Sequence, residues 1–181
     1  MMNQDTCEVY QRVGNAFRKL WFEHVVWTRS FIISTAADLG DRKAVTDRLL
    51  RNPSDFENVL KPFYGTEKAK RFNNLLTEHL TIAARLVNDA KAGNTEAVNE
   101  ERRKWYANAD EIADFLSGIN PYWSKNEWML MLHDHLKLTE TEAVERLSGQ
   151  YAQDVSLFDA IEDQALMMGD TMAEGIFKQF K

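Results

Sequence analysis

Phe72-Asn73-Asn74-Leu75-Leu76-Thr77-Glu78-His79-Leu80-Thr81-Ile82-Ala83-Ala84-Arg85-Leu86 sets apolar residues at 72, 75, 76, 82, 83 and 86. That is the spacing of a helix with one buried stripe. His79 lies in the middle of the stripe, so the imidazole faces inward with the hydrophobic side chains. Gly65 stands before this run and Gly93 after it, where a glycine ends one helix and frees the chain to start another. The stretch therefore predicts a helix over about 66–92.

Glu78-His79 has two counterparts, Glu23-His24 and Asp134-His135, and the histidines lie 55 and 56 residues apart. Periods of this size mark a repeated supersecondary unit. The likeness extends beyond the histidines. Asn52-Pro53-Ser54-Asp55-Phe56-Glu57-Asn58-Val59-Leu60 falls on Asn108-Ala109-Asp110-Glu111-Ile112-Ala113-Asp114-Phe115-Leu116 at an offset of 56. The expected unit is a helical hairpin: a histidine-bearing helix, then a return helix with a polar kink.

Gly40, Gly65, Gly93, Gly118 and Gly149 each follow a helix-like run. Ser124 through Glu127 and Thr139 through Glu142 both read as capping boxes that open helices. The predicted helices run over about 8–38, 42–61 (bent or broken near Pro53), 66–92, 95–117, 125–137 and 140–178, the last breaking near Ser148-Gly149. No segment alternates with a period of two, so no sheet is expected. Together these give an all-α, up-and-down bundle of about six helices built from repeated hairpins. It forms one domain over residues 1–181, with 1–8 as a flexible tail.

A chain of 181 residues is long enough to bury a full core. Its net charge of −6 argues against nucleic acid as a partner, and its basic clusters, such as Arg102-Arg103-Lys104, are interleaved with acids. The single cysteine, Cys7, excludes an intramolecular disulfide framework. No stretch is apolar enough to span a bilayer and no secretory leader is visible. The expected protein is soluble and cytoplasmic, with no membrane partner. Aromatic clusters at Trp105-Tyr106 and Pro121-Tyr122-Trp123 suit bundle ends that meet a second copy or a partner helix.

His24 and His135 sit in apolar stripes as His79 does. Asn52 and Asn108 stand on the seams of the return helices, and Asp55, Glu111 and Asp154 flank or join those seams. Two accounts follow. In one, the histidines are neutral core residues in a polar network that fixes helix register. In the other, His24, His79 and His135 converge with Asp55, Glu111 or Asp154 on a divalent zinc, iron or manganese ion, as helical bundles can arrange. No Glu-x-x-His or His-Glu-x-x-His occurs, and no phosphate loop or dinucleotide fingerprint. His133 is two residues from His135, about 200° round a helix, and so should point away from any shared site. Arg29, within the most apolar helix, requires a buried or half-buried carboxylate partner.

At Trp21-x-x-His24-x-x-Trp27-Thr28-Arg29, Lys61-Pro62-Phe63-Tyr64-Gly65, Trp105 through Ala113 and Gly175-Ile176-Phe177-Lys178-Gln179-Phe180, the chain resembles a family of small bacterial proteins of unassigned function. Members sometimes carry the names acetylglutamate kinase or glycosyltransferase. The resemblance covers most of residues 20–180. It implies an all-helical protein and brings no catalytic residues with it.

Overall fold

The computed structural model describes residues 4–181, with side chains described from residue 8 onward. The side chain of Cys7 and the start of the expected tail, residues 1–3, lie outside the described residues. Six helices follow in order: α1 (Gln4–Ala36), α2 (Arg42–Leu49), α3 (Asn52–Lys91), α4 (Thr95–Ile119), α5 (Lys125–Leu147) and α6 (Tyr151–Gln179). No strand occurs among the described residues. The fold is the expected all-α bundle.

α3 is two arms rather than one rod. Gly65 has φ 77° and ψ 171°, a conformation that side chains resist, and the chain doubles back there. Contacts mirror each other about this point: Phe56 meets Phe72 edge-on at 5.5 Å, and Glu57 pairs with Lys70 at 3.7 Å and accepts a hydrogen bond from Asn73. The first arm, 52–64, returns alongside α1. The second arm, 66–91, is the helix predicted from Phe72 through Leu86.

α1 packs on α6, α2 and α3; α3 packs on α4, α4 on α5, and α5 on α6. α1, α3 and α5, which bear the three inward histidines, also touch one another. The core between them includes the buried rings of Phe17, Trp21, Phe56, Phe72 and Trp128.

Two helix ends are closed as a glycine at the C′ position closes them. At Gly149 (φ 77°) the Gln150 amide donates to the Glu145 carbonyl at 2.9 Å, and at Gly93 (φ 72°) Asn94 donates to Asp89 at 3.0 Å. Ser124 caps α5 as expected, its hydroxyl accepting from the Glu127 amide at 3.3 Å. Not every glycine has this role. Gly118 lies inside α4, and beyond α1 it is Asp38, not Gly40, that takes a positive φ of 52°.

The predicted division between 137 and 140 is absent: α5 runs through to Leu147. Thr139 caps nothing there, because its hydroxyl has no hydrogen-bond partner, and Glu142 turns to Arg29 at 2.5 Å instead of back to a helix start. No Gly or Pro stands between Leu132 and Leu147 to break the ladder, so a long-range ion pair overrides the local capping signal. Pro53 was likewise expected near a bend. The break comes just before it, at Leu50-Arg51, and Pro53 occupies the first turn of α3, where its missing N–H costs nothing.

α6 lies close to its neighbours at two glycines. A Cβ on Gly169 would sit 2.9 Å from the backbone of Arg18, and one on Gly175 would sit 2.0 Å from the indole nitrogen of Trp123. That indole is buried and donates to the Thr171 carbonyl at 3.1 Å, so it cannot simply swing away. Gly175→Ala should therefore lower stability by about 1–3 kcal/mol, the range for overpacking a fitted core. Chemical denaturation would read this as a lower midpoint, and an unchanged midpoint would contradict the tight packing.

Candidate functional site

The three histidines meet. His24 from α1, His79 from the second arm of α3 and His135 from α5 are 1, 2 and 1% exposed. Their ring centroids lie 6.0, 5.4 and 6.3 Å apart. One nitrogen from each can be chosen so that all three lie within 4.8 Å of one another. The apolar stripes place them here: each occupies the inner face of a helix that touches the other two.

An amide from a return helix stands at each ring, and two of the three hold the ring through matching bonds. Asn52 Nδ2 donates to the Leu20 carbonyl at 3.0 Å, which leaves Asn52 Oδ1 to accept from His24 Nδ1 at 3.2 Å. Asn108 Nδ2 donates to the Leu75 carbonyl at 3.1 Å, and Asn108 Oδ1 accepts from His79 Nδ1 at 2.9 Å. Leu20 and Leu75 are each one helical turn before the histidine. Because each amide N–H group is committed to a carbonyl, the amide oxygen must face the ring, and Nδ1 must carry the proton. Both imidazoles are thus fixed in one tautomer, with the lone pair on Nε2.

The third hold differs. Gln164 of α6 donates to the Met131 carbonyl at 2.8 Å, again one turn before the histidine, and reaches Asp134 Oδ2 at 3.3 Å. Yet neither His135 Nδ1 nor Gln164 Oε1 completes a hydrogen bond.

A further residue enters unannounced by the sequence. Trp105 Nε1 donates to His79 Nε2 at 3.2 Å, so both ring nitrogens of His79 are engaged. Trp105 had read as an aromatic bundle end; it is instead buried beside the ring, centroids 5.4 Å apart.

The expected carboxylates are elsewhere. Asp55 pairs with Arg51 at 3.2 Å and stands 4.0 Å from Arg48. Glu111 is largely exposed and faces Arg71 at 3.6 Å. Both sit three residues past the clamp asparagines, at the edge of the stripe, where arginines reach them before the core does. Asp154 is fully buried but belongs to a separate charge cluster. Arg29 grips it with two side-chain hydrogen bonds, of 2.6 and 3.2 Å, and Arg146 forms an ion pair with it at 3.2 Å. The same Arg29 also binds Glu142 and lies over the Phe158 ring at 4.8 Å. This is the partner that Arg29 required. Among the described residues no carboxylate or thiol joins the histidine group. His133 points away, as its angle on the helix dictates, and meets Asp110 at 2.7 Å.

Electrostatics follow from burial. Loss of water pushes all three histidines down to about 3, and a neighbouring imidazole adds to this; for His24 and His79 the asparagine partner opposes it. Burial drives Glu142 the other way, up to about 7, despite Arg29. No helix among the described residues is long and apolar enough to cross a membrane. No protein-family model matches this chain, and neither a curated protein nor a solved structure is significantly similar to it.

The shifts fix the sign of the acid response of the metal-free protein. Below the ordinary histidine value the unfolded chain binds three protons that the folded bundle refuses, so stability falls as pH drops from about 6.5 towards about 3. Glu142 opposes this with one proton between its own two values, about 7 and 4.5. Stability should therefore fall with a slope of up to roughly two protons above pH 4.5 and more steeply below it, where the carboxyls of Asp38, Glu100 and Glu101, held low by neighbouring cations, add to the loss. Denaturation midpoints measured across pH 7 to 4 after chelator treatment would show it; a flat profile would contradict buried neutral imidazoles.

Proposed function

We propose that this chain is a metal-binding helical bundle that holds one transition-metal ion on His24, His79 and His135. The observation that carries the reading is the convergence of three neutral imidazoles, one nitrogen of each within 4.8 Å of the others, two of them with Nδ1 tied off by an amide. A histidine that ligates a metal commonly gives its second ring N–H to an outer partner, which fixes the tautomer and aims the lone pair. Asn52 and Asn108 supply that partner. Imidazole suits zinc, copper, iron and nickel, and three protein ligands leave room for a fourth group. The carboxylates first considered beside them are committed to arginines, so the ligand set proposed is histidine alone.

We also infer that the bundle arose from three copies of one helical hairpin. The same hold, an amide on the return helix bonded to the carbonyl one turn before the histidine, spans 32, 33 and 33 residues in the three units. Each unit also has a buried aromatic residue seven positions before its histidine: Phe17, Phe72 and Trp128. A threefold repeat of a single-histidine unit supports a three-histidine centre on its axis.

A second reading is favoured by one bond. Trp105 already satisfies His79 Nε2, so the layer can be complete as a structural network that sets helix register. Metal content separates the two. Protein purified without chelator should carry close to one equivalent of a transition metal, lost in His79→Ala. A metal-free preparation with no thermal shift on adding zinc, ferrous, manganous or cuprous ions would overturn the first reading and leave the second. Trp105→Phe should tighten metal binding by several-fold, since the ion no longer has to displace the indole; weaker binding would show that Trp105 does not compete.

Both readings share a further expectation. His79→Leu strands the Asn108 amide oxygen and the Trp105 N–H in the core, at about 1–3 kcal/mol for each lost partner. Denaturant unfolding of the metal-free variant should show that cost. Neutral behaviour would mean that the layer holds nothing together.

A further inference from the structure

The three-histidine centre has a charge preference. We infer that it selects monovalent copper over divalent cations; this rests on the reading of His24, His79 and His135 as ligands. All three donors are neutral, and among the described residues no carboxylate joins them. Asp154, the fully buried acid proposed earlier as a ligand, is gripped by Arg29 and Arg146. An ion entering this layer therefore brings its whole charge into a site whose walls are 1 to 2% exposed.

The cost of burying an ion grows with the square of its charge, so a divalent ion pays about four times what a monovalent one pays in the same cavity. Zinc on three histidines ordinarily offsets this with hydroxide in the fourth position, which needs access for water. Magnesium and manganese prefer oxygen ligands in octahedral sets, and nothing here supplies them. Cuprous ion is closed-shell, accepts three nitrogen donors without a fourth, and brings a single charge.

The test uses the full chain with Cys7→Ser, so that its thiol cannot take copper, in chelator-stripped anaerobic buffer. Cuprous ion, delivered as its acetonitrile complex, is titrated against bathocuproine disulfonate, whose coloured complex fades as the protein withdraws copper. Zinc affinity is measured separately by competition with a zinc-responsive dye. The expected result is one cuprous ion per chain, held at least about 100-fold more tightly than zinc and not displaced by a tenfold excess of it. Copper uptake should disappear in His79→Gln and, independently, in His24→Gln, each checked for helicity by circular dichroism. If either variant unfolds, the copper–zinc competition on the parent chain decides alone. Zinc binding as tight as copper, or copper uptake that survives both histidine changes in folded protein, would overturn the inference while leaving a metal site in place. Failure of every ion to bind would overturn the metal reading itself.

Discussion

The amide of Asn52 or Asn108, fixed between a backbone carbonyl and an imidazole, is the constraint on which the middle of this bundle depends. A buried amide has more hydrogen-bonding capacity than a core can easily meet, and leaving it unmet costs more than the bond returns. Here each amide spends its N–H on a carbonyl of the histidine helix and its oxygen on the ring above. Each clamp therefore pins two helices in register and fixes the proton on Nδ1. A slip by one residue would leave the carbonyl, the amide and the imidazole unsatisfied together. Polar groups specify the packing of a core whose hydrophobic side chains alone would tolerate several registers.

The charge cluster around Arg29 does similar work at another level of the same helices. α1 supplies the guanidinium, α5 supplies Glu142 and α6 supplies Asp154. The two networks keep different company. Arginine and carboxylates neutralise each other in one, while in the other, among the described residues, no acid joins the imidazoles, the nearest in the network being Asp134 on the far side of Gln164. That segregation explains why no acid is found beside the imidazoles: the buried acid with the right depth, Asp154, already has two arginine partners.

Much of this was legible in the chain. Inward histidines follow from apolar neighbours three and four residues away, and the seam positions of Asn52 and Asn108 follow from Phe56, Leu60, Ile112 and Leu116. Arg29 announced its need for an acid by standing among Trp27, Phe31 and Ile32. Gln164 carries a signal of its own, since a further step of 56 residues from Asn108 lands on it, but Asp154 stands on the same helix beside Phe158 and Ile161 and matches the seam pattern of the asparagines as well. The bond from Trp105 to His79 had no such signal, since it depends on how α4 is rotated against α3. The continuity of α5 through Thr139 was hidden for a related reason. A local capping pattern was present, and only the distant Arg29 tells which way Glu142 turns.

Gln164 is longer than asparagine by one methylene, and it stands at one of three otherwise matching stations. Its N–H group reaches the same kind of carbonyl, but its oxygen and the Nδ1 of His135 do not meet. His135 is thereby the one ring of the three whose Nδ1 no hydrogen bond fixes. Any guest in the centre would find two donors with preset aim and one able to adjust its angle of approach, so the inequality of the copies supplies the tolerance that a perfectly symmetric trio would lack.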